Sequence, residues 1–259
     1  MSLTFVLDQH PELVRALASV VPLESRPPPV TSPMLAHPVT DHYALVGTAF
    51  DYLFRFEVQR RFPKARTQTW VAEIALGLFK WDAGKDGPTA RRVVRNARRA
   101  QTTFVRSRKP SEKLLSEIAQ HAIRLAKLDS LYRGGILDPS IEEVSPRDVR
   151  DLLRMLRIVP FDGPLGVLLK RGPILLNPTF GRFSELLGGA DADLVAGDAL
   201  IDLKATKFPE FTEEHVAQIL GYLMLGDMYR ESAAKWSAGT SLPEWKLSPY
   251  CIRQPGADS

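Results

Sequence analysis

The sequence predicts an α/β chain in which a helical front half leads into a small sheet braced by a helix. Three observations carry that expectation. Apolar residues recur at helical spacing as far as about Leu156. Beyond it, the short apolar runs Leu165–Leu169 and Ile174–Asn177 are bounded by Gly and Pro and read as strands. Finally, Gly197-Asp198 lies between two apolar segments, a two-residue turn suited to a hairpin.

Residues 4–21 read as a short amphipathic helix, followed by a proline-rich linker from Pro22 to Pro38 that contains Pro27, Pro28 and Pro29. From Asp41 to Phe62 the residues Leu45, Ala49, Phe50, Leu53, Phe54 and Val58 keep helical spacing until Pro63 ends the element. Thr67–Trp81 reads as the next helix, with Val71, Ile74, Leu78 and Phe79 as its buried side. Gly84–Gly87 forms a turn, and Pro88 suits the first turn of a following helix. Ser111–Tyr132 is a long helix, stopped by Gly134 and Gly135. Ser145-Pro146 opens another, because Ser caps a helix and Pro fits its first position. Thr212 caps a strong helix to about Tyr229, with Val216, Ile219, Leu220, Leu223 and Met224 packing inward. A last strand falls near Leu247–Arg253. The expected organisation is an N-terminal helix and linker (1–38), a helical region (39–160) and a core carrying the hairpin (161–259).

Composition sets the class. With 44% apolar and 25% charged residues the chain is an ordinary globular one. No apolar run approaches the roughly 18 residues of a membrane span. The first ten residues lack the layout of a signal peptide, so a cytoplasmic protein is expected. The single cysteine, Cys251, excludes an internal disulfide and any cysteine-clamped iron–sulfur cluster. The net charge of +4 is mild but unevenly spread. Arg91, Arg92, Arg95, Arg98, Arg99, Arg106, Arg108 and Lys109 follow one another with no acid among them. Such a stripe either neutralises phosphates or is simply a solvated helix face.

The hairpin carries the chemistry. A Gly197-Asp198 turn sets Ala196 opposite Ala199, Val195 opposite Leu200 and Leu194 opposite Ile201. Continued outward, that register puts Asp193 opposite Asp202, their β-carbons about 5 Å apart, and Asp191 opposite Lys204. Two facing acids destabilise a strand pair unless a cation lies between them. Hard oxygen ligands of this kind suit Mg²⁺ or Mn²⁺, with the remaining positions left to water and phosphate. Lys204 shares a face with Asp202 and could orient an attacking water or stabilise a phosphorane-like transition state. The bland reading is a surface hairpin with a simple Asp191–Lys204 ion pair. The helix beyond it carries Gln218 and Tyr222 four residues apart on one face, with His215 on the same face.

In this order, Asp193, Asp202-Leu203-Lys204 and Gln218-Ile219-Leu220-Gly221-Tyr222 resemble the PD-(D/E)xK nuclease superfamily. The Gln-x-x-x-Tyr helix resembles its RecB-like branch in particular. The resemblance implies a restriction-endonuclease-like core, a small mixed sheet flanked by helices, with an N-terminal helical extension. It implies a Mg²⁺- or Mn²⁺-dependent deoxyribonuclease that hydrolyses phosphodiester bonds. Asp193 and Asp202 would bind the metal, Lys204 would be catalytic, and Gln218 and Tyr222 would support the site and contact DNA. RecB-like enzymes often add a Gly-x-x-x-His helix whose His meets the metal; here Asp51 stands at that place after Gly47. Glu57, Glu73 and Glu185 are weaker candidates for an additional acid, and Asp191 is an alternative to Asp193. No Pro precedes Asp193, a departure from the pattern.

The implied partner is DNA, with RNA left open, no membrane, and a protein partner for targeting also open because no helicase motor or reader domain is recognisable. The arginines of residues 91–109 would hold the backbone, and Phe104 would offer an aromatic face for stacking. The alternative function is a non-catalytic nucleic-acid-binding or assembly subunit that keeps the nuclease fold. A third reading, an unrelated small-molecule enzyme, finds no Walker-type loop, dinucleotide fingerprint or His-Glu-x-x-His motif.

Overall fold

A computed structural model of the chain describes residues 2–26, 35–67, 69–78, 86–134, 138–205 and 211–234. The fold is mixed α/β and mostly helical. In chain order the helices are α1 (Leu3–Gln9), α2 (Pro11–Ser19), α3 (Tyr43–Arg61), α4 (Val71–Leu78), α5 (Asp86–Arg106), α6 (Glu112–Gly134), α7 (Pro146–Ile158), α8 (Pro164–Leu169), α9 (Arg182–Leu186) and α10 (Glu213–Ala234). The strands are β1 (Arg66–Thr67), β2 (Ile174–Leu176), β3 (Leu194–Ala196) and β4 (Ala199–Ile201). Two compact units result, one of residues 1–34 with 160–259 and one of residues 35–159.

In the second unit α3 is buried on nearly every side. Tyr52 through Val58 are buried without a break, Arg55 and Glu57 included. A helix apolar around most of its girth can only be a central one. It packs on α5, α6 and α7, and α6 in turn packs on α4 and α5. Ser145 caps α7 as expected, its side chain accepting the Arg147 amide at 3.2 Å with Pro146 in the first helical turn. One turn in, the buried Asp151 carboxylate accepts the Val39 amide at 2.8 Å and the Thr40 amide at 2.9 Å. That ties down the segment entering α3.

In the first unit β2, β3 and β4 form an antiparallel sheet in that order. The β3–β4 register is Leu194↔Ile201, Val195↔Leu200 and Ala196↔Ala199, the pairing the Gly197-Asp198 turn demands. Gly197 has φ 59°, the left-handed conformation such turns need. The turn also lies against the chain before β2, where a β-carbon on Gly172 would come within 2.8 Å of Gly197 Cα. A β-carbon on Gly197 itself would meet the Arg171 backbone at 3.1 Å. Gly197→Ala is therefore expected to destabilise this unit by about 1–3 kcal/mol, read as a lower urea midpoint. An unchanged midpoint would mean that the turn is not held by this contact.

Three expectations about elements are corrected. Residues 4–21 form two helices rather than one, because Pro11 ends α1 and starts α2 at its first position. Both pack on α10, with Leu3, Leu7 and Val14 meeting Ala217 and Tyr222 in one apolar cluster. Leu165–Leu169 is the helix α8, not a strand. Five apolar residues cannot distinguish the two by periodicity, and here Pro164 favours the first helical turn while Gly166 admits the Phe161 carbonyl where a β-carbon would sit 2.0 Å away. Thr67 belongs to β1, so the helix expected from it begins only at Val71. Ile74 of α4 and Met224 of α10, both expected inside, are 39% and 53% exposed. The Pro27–Pro29 run, Phe79, the start of the Gly84–Gly87 turn, Gly135 and the Leu247–Arg253 strand lie outside the described residues.

Candidate functional site

Four of the five residues singled out around the hairpin are joined in one run, an ion pair followed by two hydrogen bonds. Lys204 Nζ lies 2.7 Å from Asp202 Oδ2 and donates to Gln218 Oε1 at 2.7 Å. The other end of that amide, Gln218 Nε2, donates to the Tyr222 hydroxyl at 2.9 Å. The Gln218 amide is thus oriented by a cation on one side and a phenol on the other. Its helical spacing with Tyr222 makes the second contact available without strain.

Asp193 sits just beyond the ladder, which stops one pair short of it. Its backbone carbonyl accepts the Asn177 amide at 2.9 Å, continuing the β2–β3 pairing, and its Oδ2 accepts the Leu203 amide at 2.5 Å. That bond ties the chain leaving β4 to β3 and sets the position of both Asp202 and Lys204. Residues 202–205 are not strand, so the expected facing of Asp191 and Lys204 does not occur. Asp191 instead forms an antiparallel bridge with Thr179, and Lys204 takes Asp202 as its ion-pair partner.

The Asp202 side chain is 5% exposed and that of Lys204 is 34% exposed. A carboxylate so deeply placed costs several kcal/mol in desolvation unless a cation meets it, and Lys204 does so from the solvent side. Tyr222 is buried, stacked on Phe180 with ring centroids 5.9 Å apart and planes at 22°. Burial pushes its phenol above the ordinary tyrosine range; the Gln218 hydrogen bond pulls against that, and the charges of Asp191, Asp202 and Asp193 add to the push.

A pH dependence follows. The folded state holds the Tyr222 proton more tightly than the unfolded chain, whose tyrosines titrate near pH 10. The stability from this group is intact below about pH 10 and is lost as pH rises further. Tyr52, fully buried and donating to Asp129 Oδ1 at 2.6 Å, is shifted in the same direction. Tyr222→Phe is expected to remove part of the fall in melting temperature above pH 10. An identical fall in the variant would assign it elsewhere.

Among the described residues no three His, Cys, Asp or Glu side chains form a group that could hold a metal ion unaided. What the hairpin supplies is an oxygen-only donor pair, Asp193 and Asp202. That suits a hard divalent ion that keeps most of its shell as water or phosphate oxygen. The further candidate acids are placed as follows. Asp51 lies on α3 in the second unit, its carbonyl accepting Arg55 Nε at 2.8 Å. Glu57 is buried and clamped by Arg60 at 2.6 Å and Arg61 at 2.7 Å. Glu73 accepts the Trp70 amide and a two-pronged contact from Arg98 at 2.7 and 2.5 Å. Glu185 is exposed on α9. Glu57 and Glu73 thus have structural partners.

The arginine stripe divides into two kinds. Arg98 is bound to Glu73 and stands 3.5 Å over the Trp70 ring, and Arg92 pairs with Glu142 at 2.6 Å. Arg95, Arg99, Arg106, Arg108 and Lys109 are exposed, as are Arg91 and the paired Arg92. Phe104, expected to stack on bases, is instead fully buried beneath the Arg60 guanidinium, 5.9 Å from its ring centroid. Its position on the apolar side of α5 could have been read from its spacing to Ala97 and Ala100.

Sequence reasoning missed the Leu203 amide that aligns Asp193, since a backbone donor has no sequence signature. It also missed a concavity of about 610 Å³ in the second unit, lined by His42, Lys127, Ser140 and Asp148 among others. There His42 Nδ1 lies 3.1 Å from the buried Asp148, and Lys127 donates to both the hydroxyl and the carbonyl of Ser140 at 2.8 Å. Comparison with family models, with curated proteins and with solved structures found no match to this chain.

Proposed function

We propose that the chain is a metal-dependent phosphodiester hydrolase acting on DNA, with its reactive centre at the hairpin. The observation that carries this reading is the continuous contact from Asp202 through Lys204 and Gln218 to Tyr222. A structural ion pair would need only Lys204 and Asp202. The additional amide and phenol hold the ammonium to one position, which is what positioning against a phosphate requires.

Asp193 and Asp202 would hold Mg²⁺ or Mn²⁺, which when bound supplies an activated water and neutralises charge on the attacked phosphate. The chain's own groups do the rest. Asp193, aligned by the Leu203 amide, and Asp202, aligned by Lys204, present oxygens on neighbouring segments. Lys204 carries three N–H donors; one bonds Gln218 while the ammonium pairs with Asp202, and the donors that remain can meet the nucleophile or a phosphoryl oxygen. Gln218 prevents the ammonium from swinging into solvent. Tyr222, kept protonated and packed on Phe180, holds Gln218 in turn.

The experiment is direct. The purified chain of residues 1–259 is incubated with single-stranded, duplex and circular DNA and with RNA, in Mg²⁺, in Mn²⁺ and in chelator. Cutting of DNA that chelator abolishes is the expected outcome. Binding without cutting in every condition would sink the hydrolase and favour a nucleic-acid-binding subunit.

A further inference from the structure

We infer that the solvent face of α5 is a phosphate-backbone track for double-stranded nucleic acid, read through Arg95, Arg99 and Arg106 without base contacts. The inference rests on the hydrolase reading only for the identity of the polymer.

The helix buries Val93, Ala97, Ala100 and Phe104 on one side. At 3.6 residues per turn Arg95, Arg99 and Arg106 fall within about 40° of one another, directly opposite that buried side. They extend over about 16 Å of helix axis. No acid occurs anywhere from Arg91 to Lys109. Among the described residues, Arg95, Arg99 and Arg106 have no carboxylate within ion-pair distance, whereas their neighbours Arg92 and Arg98 are neutralised by Glu142 and Glu73. The same helix therefore holds Arg92 and Arg98 in ion pairs and leaves Arg95, Arg99 and Arg106 aligned for something anionic.

What lies between them decides the kind of partner. Thr102 shares the face, and its hydroxyl is turned back to the Arg98 carbonyl at 2.9 Å; Thr103 bonds the Arg99 carbonyl at 3.2 Å. Phe104 is fully buried. The face offers guanidinium groups and no aromatic surface. Proteins that hold single strands stack bases on aromatic side chains, whereas a duplex keeps its bases stacked and presents phosphate to the outside. Guanidinium groups grip phosphate with two parallel N–H donors. A duplex bound by its backbone, without regard to sequence, is the partner this chemistry fits.

The test measures anisotropy of labelled oligonucleotides in chelator, so that no cutting intervenes. It compares the wild-type chain, Arg95→Ala/Arg99→Ala/Arg106→Ala, and the control Arg150→Ala, an exposed arginine on α7. Alanine at exposed helical positions favours the helix, and circular dichroism checks that the variants fold. Three lost phosphate contacts lower the slope of log affinity against log salt by about 2.7 for duplex DNA. Wild-type affinity then falls about 40-fold more steeply than the triple variant's between 50 and 200 mM salt. Arg150→Ala leaves the slope unchanged, A·T-rich and G·C-rich duplexes bind alike, and a single strand of equal length binds more weakly. An unchanged slope in the triple variant overturns the inference, as does tighter binding of the single strand or of an acidic polypeptide. Duplex binding through these arginines with no cutting in any metal defeats the hydrolase reading alone. Metal-dependent cutting with binding indifferent to the three arginines defeats this inference alone.

Discussion

On the proposed hydrolase function, Lys204→Ala and Asp202→Ala are each expected to lower metal-dependent DNA cleavage by at least roughly 100-fold while leaving duplex binding nearly unchanged. A positioned proton-transfer group contributes about 10²- to 10⁴-fold to a reaction rate, and a lost electrostatic donor about as much. The two substitutions act through different atoms. Without Asp202 the site loses one of its two oxygen-donor side chains. Without Lys204 the 5%-exposed Asp202 faces no ammonium, and the Gln218 carbonyl loses its donor. Because Lys204 is one-third exposed, water replaces part of what it gave, and the fold loses only about 1 kcal/mol. The double variant is then no slower than the worse single one, as for residues acting as a unit. Lys204→Arg does not rescue, since a planar fork cannot reproduce the point contact to both Asp202 and Gln218. Cleavage rates measured with excess Mn²⁺ and saturating DNA decide the matter. Persistent cutting by both single variants would place the chemistry elsewhere in the chain.

Trp70→Ala is expected to cost about 3–5 kcal/mol, the largest stability loss of any single change considered. Trp70 is 1% exposed, meets Tyr52 edge-on at 6.1 Å and Phe56 at 5.4 Å, and carries the Arg98 guanidinium on its face at 3.5 Å. Removing the indole opens a cavity between two fully buried aromatics and strips the cation–π partner from Arg98, itself paired with Glu73. A domain is typically stable by only about 5–15 kcal/mol, so this loss is a large fraction of the whole. Urea unfolding followed by tryptophan-independent circular dichroism measures it. A loss below about 1 kcal/mol would show that the second unit does not depend on this cluster.

The hairpin register was legible residue by residue. A two-residue Gly197-Asp198 turn permits one pairing, and strand alternation then sends Leu194 and Ile201 to the same face. The helical spacing of Gln218 and Tyr222 likewise sufficed to bring them together. Periodicity failed where a segment was too short to show a period, as in α8. It also failed to tell which of several apolar residues is covered: Ile74 and Met224 are exposed, while Ala217 and Tyr222 are buried. Burial depends on which neighbour arrives, and the neighbours of α10 include α1 and α2, about two hundred residues distant in sequence.

By itself, the sequence determined the turn, the strand pairing and the order in which two aspartates, a lysine, a glutamine and a tyrosine follow one another, because these depend on local backbone geometry. Only the tertiary structure decided which charges meet. Lys204 takes Asp202 rather than Asp191 because β4 ends at Ile201 and the Leu203 amide turns to the Asp193 carboxylate. In the same way it divided the arginines of α5, since whether a guanidinium is free to meet a phosphate depends on whether a carboxylate such as Glu73 or Glu142 has already reached it.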